Sequence, residues 1–371
     1  SRTPHRLLQI VPGPEDKITE NGRHIFAEVA AGQVWGSPNY RFINRTNAVH
    51  QILGKYRPEI IESLCPWVLP WTAIRHRMRH PDTALVAGYR TDFPDAHVYR
   101  VAKHLVGDFL GRGFRKLSLA YAKQTYRRFD RVYTLNQQAD LMFRGMGINN
   151  VGVLPLGVNL DQFSPDLRDP GYRASLGLKG HGPLLIYAGR IDNEKRAHIL
   201  IDMFRRLPKE FGADMVVLGT GKLRDELIER SAGLPIAFPG FESDRGALAR
   251  ALASADIYVS AMADETFGIS VLEAQASGLP VVGVASGAMP ERVPPGTGLL
   301  GPVDDAQQMA DNVRHIWGNG VKSMKIAGAN HAGAQFRWHQ TFDQLINTEY
   351  MMALDARDAR LGTEDKVIAS A

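Results

Sequence analysis

Residues 256–285 read DIYVSAMADETFGISVLEAQASGLPVVGVA. Three elements are legible in this stretch. DIYVSA (256–261) has the length and residue types of a strand. GISVLEAQASG (268–278) is a helix, opened at Gly268 and closed by Gly278. LPVVGVA (279–285) is a second strand. A strand, a helix and a strand in succession form a unit that builds parallel sheets with covering helices.

The alternation continues outward from there. PLLIYAGR (183–190) reads as a strand ending in a Gly-Arg turn, and HILIDMFRRLP (198–208) as a helix. DMVVLGTG (214–221) is a buried strand ending in glycines, LRDELIERSAG (223–233) a helix, IAFPGF (236–241) a short strand and ALARALASA (247–255) a helix. This repetition predicts a doubly wound sheet, whose ligands lie at the carboxyl ends of the strands. The first half is less regular. LLQIV (8–12), IFAEVAA (25–31), EIIES (59–63), ALVAGY (84–89) and RVYTLN (131–136) read as strands. Val49, Ile52, Leu53 and Tyr56 have helical spacing, stopped by Pro58. Residues 101–129 predict a long helix, broken or bent near Gly111 and Gly113. NVGVLPLGVNLDQFSPD (150–166), with the polar stretch up to 180, reads as an interdomain linker. The fold class is therefore α/β, with two domains in 371 residues.

Composition narrows the function. Residues 1–150 carry 22 Lys and Arg against 12 Asp and Glu, within a chain whose totals are 44 and 39. A basic half beside an acidic half points to anionic material, and a solvated surface fits as well. A single cysteine, Cys65, excludes an intrachain disulfide and makes a reducing compartment the default. No run of about 20 apolar residues is present to span a membrane. The start, SRTPHRLLQI, is neither a signal peptide nor an initiator Met, and suggests a chain that begins inside a longer one.

Four strand ends carry candidate chemistry. At Gly189-Arg190, followed by Asp192-Asn193-Glu194-Lys195-Arg196, a glycine permits close approach of backbone to a ligand, and two cations suit phosphate. A solvated charged turn accounts for these residues too, and taken alone is the commoner case. Gly219-Thr220-Gly221-Lys222 is a glycine turn suited to a phosphate or sugar, without the third glycine of a dinucleotide fingerprint. A tight structural turn explains it equally. Glu265-Thr266-Phe267-Gly268-Ile269-Ser270 opens a helix, whose free amides offer an anion site. Glu273 follows about one and a half turns in, and each of the two carboxylates suits a vicinal diol. Two unrelated glutamates are the weaker reading here. Ser286-Gly287-Ala288-Met289-Pro290-Glu291 is either a pocket wall or a turn.

These residues resemble retaining glycosyltransferases of family 4. The matching segments are LPLGVNLDQFSPD (154–166), LLIYAGRIDNEKR (184–196), VVLGTGKLRDEL (216–227) and ETFGISVLEAQASGLPVVGVASGAMPE (265–291), whose two glutamates are separated by seven residues. The likeness is strong over roughly 150–310. ESLCPWVLPWTA (62–73) and YRTDFPDAHVYR (89–100) point less specifically to bacterial mannosyltransferases that build mannosylated inositol phospholipids and related glycolipids.

The resemblance implies a GT-B fold, with two Rossmann-like domains facing a cleft. Residues 1–160 would form an acceptor-binding domain and 161–334 a donor-binding domain, with the helix at about 335–371 packing back on the first. It also implies that the family's first strand and Gly-rich loop lie outside this chain. Arg190 and Lys195 would hold a diphosphate, Glu273 the ribose and Glu265 the transferred sugar. Backbone near Phe267, Gly268 and Ile269, and the turns at Gly189, Gly219 and Gly221, would approach the donor. The implied reaction moves a hexose, mannose favoured and GDP-mannose the expected donor, to a glycolipid or other sugar acceptor. Nothing in 236–241 separates guanine from uracil. No cofactor or essential metal is expected, since no Asp-x-Asp-type pair sits beside the site. One departure is Tyr89-Arg90-Thr91-Asp92, where the family commonly has Tyr-His-Thr-Asp. Arg90 and Asp92 would lie on the acceptor side. Arg90 is either a donor to the sugar or to an anionic acceptor, or a structural partner of Asp92 or Asp95, and the two readings stand level.

The basic stretch 101–129 and Arg75-His76-Arg77-Met78-Arg79-His80 are candidates for an anionic lipid surface. The expected place is cytoplasmic, peripheral on the inner face of a membrane. No nucleic-acid reader motif is present, so no nucleic-acid partner is expected. The competing reading is a non-catalytic nucleotide-sugar-binding protein of the same fold.

Overall fold

A computed structural model describes residues 4–34, 37–99, 102–103, 107–319 and 321–369. The chain divides into two compact units, residues 1–134, 139–153 and 344–371 in the first and 135–138 with 154–343 in the second. Beside the sequence boundaries at 160 and 335, the crossings fall at 153/154 and 343/344.

Among the described residues the first unit holds three sheets. β1 (Leu7–Gly13), β2 (Lys17–Asn21) and β3 (His24–Ala30) make a sheet of order β1-β3-β2, with β1 parallel and β2 antiparallel to β3. β4 (Gly32–Val34) and β5 (Ser37–Phe42) form a ribbon. β6 (Ile60–Ser63), β7 (Ala84–Tyr89), β8 (Arg131–Thr134) and β9 (Val151–Val153) form a parallel sheet in chain order. All six residues of β7 are buried, as an interior strand covered on both faces requires. Phe93, Tyr126 and Phe143 pack against Tyr89 edge-on. The C-terminal segment fastens to this sheet through Glu349, which is 1% exposed and lies 2.6 Å from Arg131.

Three expectations change here. Lys17–Asn21 and the helix Leu69–Arg79 are elements that the sequence reading left unassigned. The basic helix runs unbroken over Asp108–Tyr126, through both Gly111 and Gly113. Gly111 is needed for packing rather than bending, because a Cβ there would lie 3.1 Å from the backbone of Lys103. Residues 101 and 104–106 of the basic stretch lie outside the described residues. The third change is the linker. Residues up to 180 are packed on the second unit: Phe163 is 1% exposed, Arg168 pairs with Asp256 and Arg173 with Asp214.

The second unit is one six-stranded sheet, parallel throughout. Its strands are β10 (Leu184–Ala188), β11 (Asp214–Leu218), β12 (Ile236–Gly240), β13 (Ile257–Val259), β14 (Val281–Val284) and β15 (Gly298–Gly301). Their order is β12-β11-β10-β13-β14-β15. Side chains alternate between faces, as a period of two demands. Ile186, Val216 and Tyr258 join one core with Val271 and Leu272, while Leu185, Tyr187, Met215 and Val217 join another with Leu200, Ile201 and Met203. The chain order reverses between β10 and β13. That switch point is where ligands bind in such sheets, outside the carboxyl ends of the two strands. Among the described residues no helix is long and apolar enough to cross a membrane.

Candidate active site

β10 delivers Gly189 and the loop to Arg196 to the switch point, and β13 delivers the loop to Gly268. Lys195 and Glu265 meet there, with Nζ 3.1 Å from Oε2. The same ammonium lies 2.8 Å from Met262 Sδ. The amide of Lys195 donates to Asp192 Oδ1, which fixes the loop independently of the side chain. Glu265 turns its other oxygen to its own chain and accepts the amide of Gly268 at 3.0 Å. The glutamate thus fixes the turn that leads into the helix Ile269–Ala276 as well as pairing with the lysine. Gly268 has φ +83°, a left-handed turn that favours glycine. The next two amides, Ile269 and Ser270, make no hydrogen bond among the described residues. They form the exposed positive end of that helix.

Glu273 is 7% exposed and pairs with Arg245, at 2.5 Å from Oε1. Burial raises its pKa, and Arg245 pulls the other way. Arg245 itself lies over the Phe163 ring, 5.0 Å from its centroid. Both glutamates bear on one buried group. The hydroxyl of Tyr258 is raised chiefly by burial, then by Glu265 and Glu273. It lies 3.3 Å from the Ala188 carbonyl at the end of β10. Glu265, on the loop after β13, and Glu273, on the helix Ile269–Ala276, thus both lie within electrostatic reach of this hydroxyl.

Arg190 pairs with Asp192 and Glu194 on its own turn, and its side chain is 56% exposed. Gly189, Gly219 and Gly221 hold strand ends together: a Cβ on Gly219 would lie 1.8 Å from the Gly189 carbonyl oxygen, and one on Gly221 2.2 Å from that of Ile191. Phe267 is buried, and Ile269 is 38% exposed. In the first unit, Asp92 accepts the Tyr89 hydroxyl at 2.8 Å and Asp95 takes Arg115, so Arg90 pairs with neither. Of the two readings of Arg90, the structural pair with Asp92 or Asp95 is not seen, the two acids being bonded to Tyr89 and Arg115. Arg77 and His76 of the basic segment 75–80 are turned inward, Arg77 onto Asp130 at 3.1 Å and His76 3% exposed.

Sequence reading missed Arg292 and Asn136, which hold the Glu265 loop together with the turn at 286–291 that it gave as a pocket wall or a turn. Arg292 is 3% exposed and donates to the carbonyls of Phe267 and Leu135. Burial lowers its pKa to about 10. Asn136 donates to the Thr266 carbonyl at 2.6 Å. Gly287 has φ +59°, and a Cβ there would lie 2.5 Å from the Glu265 carbonyl oxygen, while Ala288 donates its amide to that same oxygen at 2.7 Å. The only signal in the sequence was the glycine at 287. Among the described residues, no group of three or more His, Cys, Asp or Glu side chains is placed to hold a metal ion.

Comparison with known proteins bears on this unit directly. Residues 182–319 match the family model described as glycosyl transferases group 1. Over 361 residues the chain is 28% identical to the GDP-mannose-dependent alpha-(1-6)-phosphatidylinositol dimannoside mannosyltransferase of Mycobacterium tuberculosis, covering 95% of this chain and 90% of that protein. It is 31% identical to the D-inositol 3-phosphate glycosyltransferase of Mycolicibacterium smegmatis over 227 residues, 57% of this chain and 50% of that one. Among solved structures, sucrose-phosphate synthase from Thermosynechococcus elongatus has a TM-score of 0.71 at 20% identity, over 98% of this chain and 89% of that chain. Anabaena HepE in complex with UDP-glucose has a TM-score of 0.69 at 19% identity, over 88% and 86%. The chain has the fold of GT-B glycosyltransferases, and its residues 182–319 form a glycosyl transferases group 1 domain.

Proposed function

We propose that this glycosyltransferase moves a hexose, mannose in the first instance, from a nucleotide diphosphate sugar to a glycolipid or other sugar acceptor, with retention at the anomeric carbon. The observation that carries the reading is the meeting of Lys195, Glu265 and the two unbonded amides of Ile269 and Ser270 at the switch point. An ammonium and a helix amino end, fixed before the reaction, stabilise the charge that grows on a departing diphosphate. Arg190 supplies a second cation from the same loop. Glu273 takes the ribose diol in exchange for Arg245, and Glu265 takes a hydroxyl of the transferred sugar.

The bond from the anomeric carbon to the phosphate oxygen breaks as the bond to the acceptor oxygen forms on the same face. The acceptor's proton passes to the leaving phosphate. Lys195 and the helix end supply the positive charge, so we propose turnover that does not need a divalent metal and survives EDTA. Support for mannose and for a lipid-linked acceptor comes from the mannosyltransferase named above, which matches almost end to end. Both named relatives also have phosphate-bearing acceptors in their names.

A lipid acceptor fits the surface of the helix Asp108–Tyr126. Phe109, Leu110, Phe114 and Leu117 are 87%, 53%, 48% and 68% exposed, beside exposed Arg112 and Lys116. Apolar rings among cations suit an anionic interface. Absence of binding to anionic vesicles at low salt would remove that part. The donor is tested by thermal-shift screening of GDP, UDP and their sugars, followed by NMR of the product's anomeric configuration. An inverted product overturns the mechanism. Tight nucleotide binding without hydrolysis or transfer would leave a binding protein instead.

A further inference from the structure

β7 lies between β6 and β8, and its carboxyl end runs directly into Arg90. In a parallel sheet this is the ligand-facing edge. Arg90 is half-buried, and among the described residues it is the only such Lys or Arg of the first unit with neither a hydrogen bond nor an ion pair. The other half-buried cations of that unit are committed. Arg77 holds Asp130, Arg115 holds Asp95 and Arg131 holds Glu349.

The nearby acids are committed too. Asp92 accepts the Tyr89 hydroxyl and Asp95 the Arg115 guanidinium. Glu62 is held at both oxygens, Oε1 by the Tyr133 hydroxyl and Oε2 by that of Tyr350 at 2.8 Å. Arg90 lies within electrostatic reach of this network. Burial raises the Tyr133 hydroxyl foremost, with Glu62 adding to the rise, and the charge of Arg90 works against it. Every second residue shares a face, so Arg90 follows Gly88, where a Cβ would lie 2.5 Å from the Tyr133 hydroxyl oxygen. A guanidinium shielded from water without a counter-charge is costly, and its planar fork matches two oxygens of one anion.

We propose that Arg90 docks a phosphate ester carried by the acceptor. This rests on the glycosyltransferase reading above and adds what the acceptor must bear. The phosphate belongs either to a free sugar or polyol phosphate or to a lipid headgroup. Arg90 is a specificity residue here, since a guanidinium cannot act as a base.

The test uses the full chain with its donor site saturated by GDP or UDP, so that a second anion cannot enter there. Glycerol 3-phosphate, glycerol and phosphatidylglycerol vesicles are titrated against wild type, Arg90→Gln and Arg90→Lys. Wild type should bind glycerol 3-phosphate or the vesicles but not glycerol. Arg90→Gln should lose at least about tenfold in affinity, with Arg90→Lys between them, as expected for one charge-assisted contact. Binding of glycerol 3-phosphate identifies the free source, and binding of vesicles alone the lipid source. Nucleotide affinity should be the same in all three proteins, which separates this proposal from the donor assignment and reports folding. Unchanged phosphate binding in Arg90→Gln, or no binding by wild type to either probe, would overturn it.

Discussion

Replacing Lys195 by Met removes one charge and leaves a side chain of similar length. The loop should survive the change, because the Lys195 backbone amide still holds Asp192. Two effects of different size follow. The ion pair with Glu265 spans 3.1 Å, with side chains 22% and 12% exposed. At an effective dielectric of about 20 such a pair attracts by roughly 5 kcal/mol, most of which desolvation cancels. Glu265 also keeps its bond to the Gly268 amide. The net loss of stability should therefore be about 1–2 kcal/mol. The kinetic effect should be larger. A preorganised charge aimed at the leaving group is worth about 10²–10³ in kcat.

The assay is kcat and KM at saturating donor, or donor hydrolysis if the acceptor is still unidentified, with Tm measured alongside. Lys195→Met should lower kcat by that factor with little change in donor KM. Combining it with Glu265→Gln separates the two roles. If the lysine only neutralises the glutamate, the double variant matches Glu265→Gln alone. If it stabilises the diphosphate, the double variant falls well below Glu265→Gln alone. A folded Lys195→Met protein with kcat within roughly threefold of wild type would refute the assignment.

Three further outcomes follow from the geometry. Burial raises the Glu273 carboxyl, so its contribution to stability is present at low pH and is lost as pH rises through its folded value. Glu273→Gln should therefore raise the Tm of the unliganded protein, by up to about 1 kcal/mol in stability, while nucleotide titration shows at least tenfold weaker binding. Gly287→Ala meets both a positive φ and the Glu265 carbonyl oxygen, and should cost about 2–3 kcal/mol in denaturant unfolding and lower kcat as well. His76, packed 4.5 Å from the His80 ring, is lowered by burial from 6.5 to about 4. The folded state resists its protonation, so stability should fall between pH 6.5 and about 4, by at most about 1.4 kcal/mol per pH unit, and His76→Gln should flatten that slope.

Much of the second unit was readable because its strands and helices alternate cleanly and its glycines stand at strand ends. The strand order was not, because register and neighbours are tertiary facts. Yet the order β12-β11-β10-β13 explains why loops 189–196 and 261–268 meet at all. The first unit was harder. Residues 17–21 are exposed throughout and only Ile18 among them is apolar, so their strand carries no alternation to detect. Gly111 looked like a helix breaker, but it is the small residue that lets Lys103 pack close.

Glu265 shows where sequence reading ends. Its spacing from Glu273 marks it, but spacing cannot place a carboxylate to within the fraction of an ångström that a reaction needs. Backbone contacts do that. Asn136 holds the carbonyl of Thr266, Arg292 that of Phe267, and the turn at Gly287 the carbonyl of Glu265 itself. These anchors lie as many as 130 positions away in the chain. They also explain why Leu135–Gln138 clusters with the second unit although its sequence neighbours belong to the first. Since all three grips are on main-chain oxygens, they leave the glutamate side chain to Lys195 and Gly268. Loss of a grip should shift the carboxylate without removing it. Arg292→Lys cannot satisfy both Phe267 and Leu135 with one ammonium in the same geometry. It should therefore reduce kcat while nucleotide affinity, carried by Glu273 on the helix, stays within a few-fold. Equal losses of kcat and nucleotide affinity in that variant would mean that the loop and the helix move as one body, and that Glu265 has no separately held position.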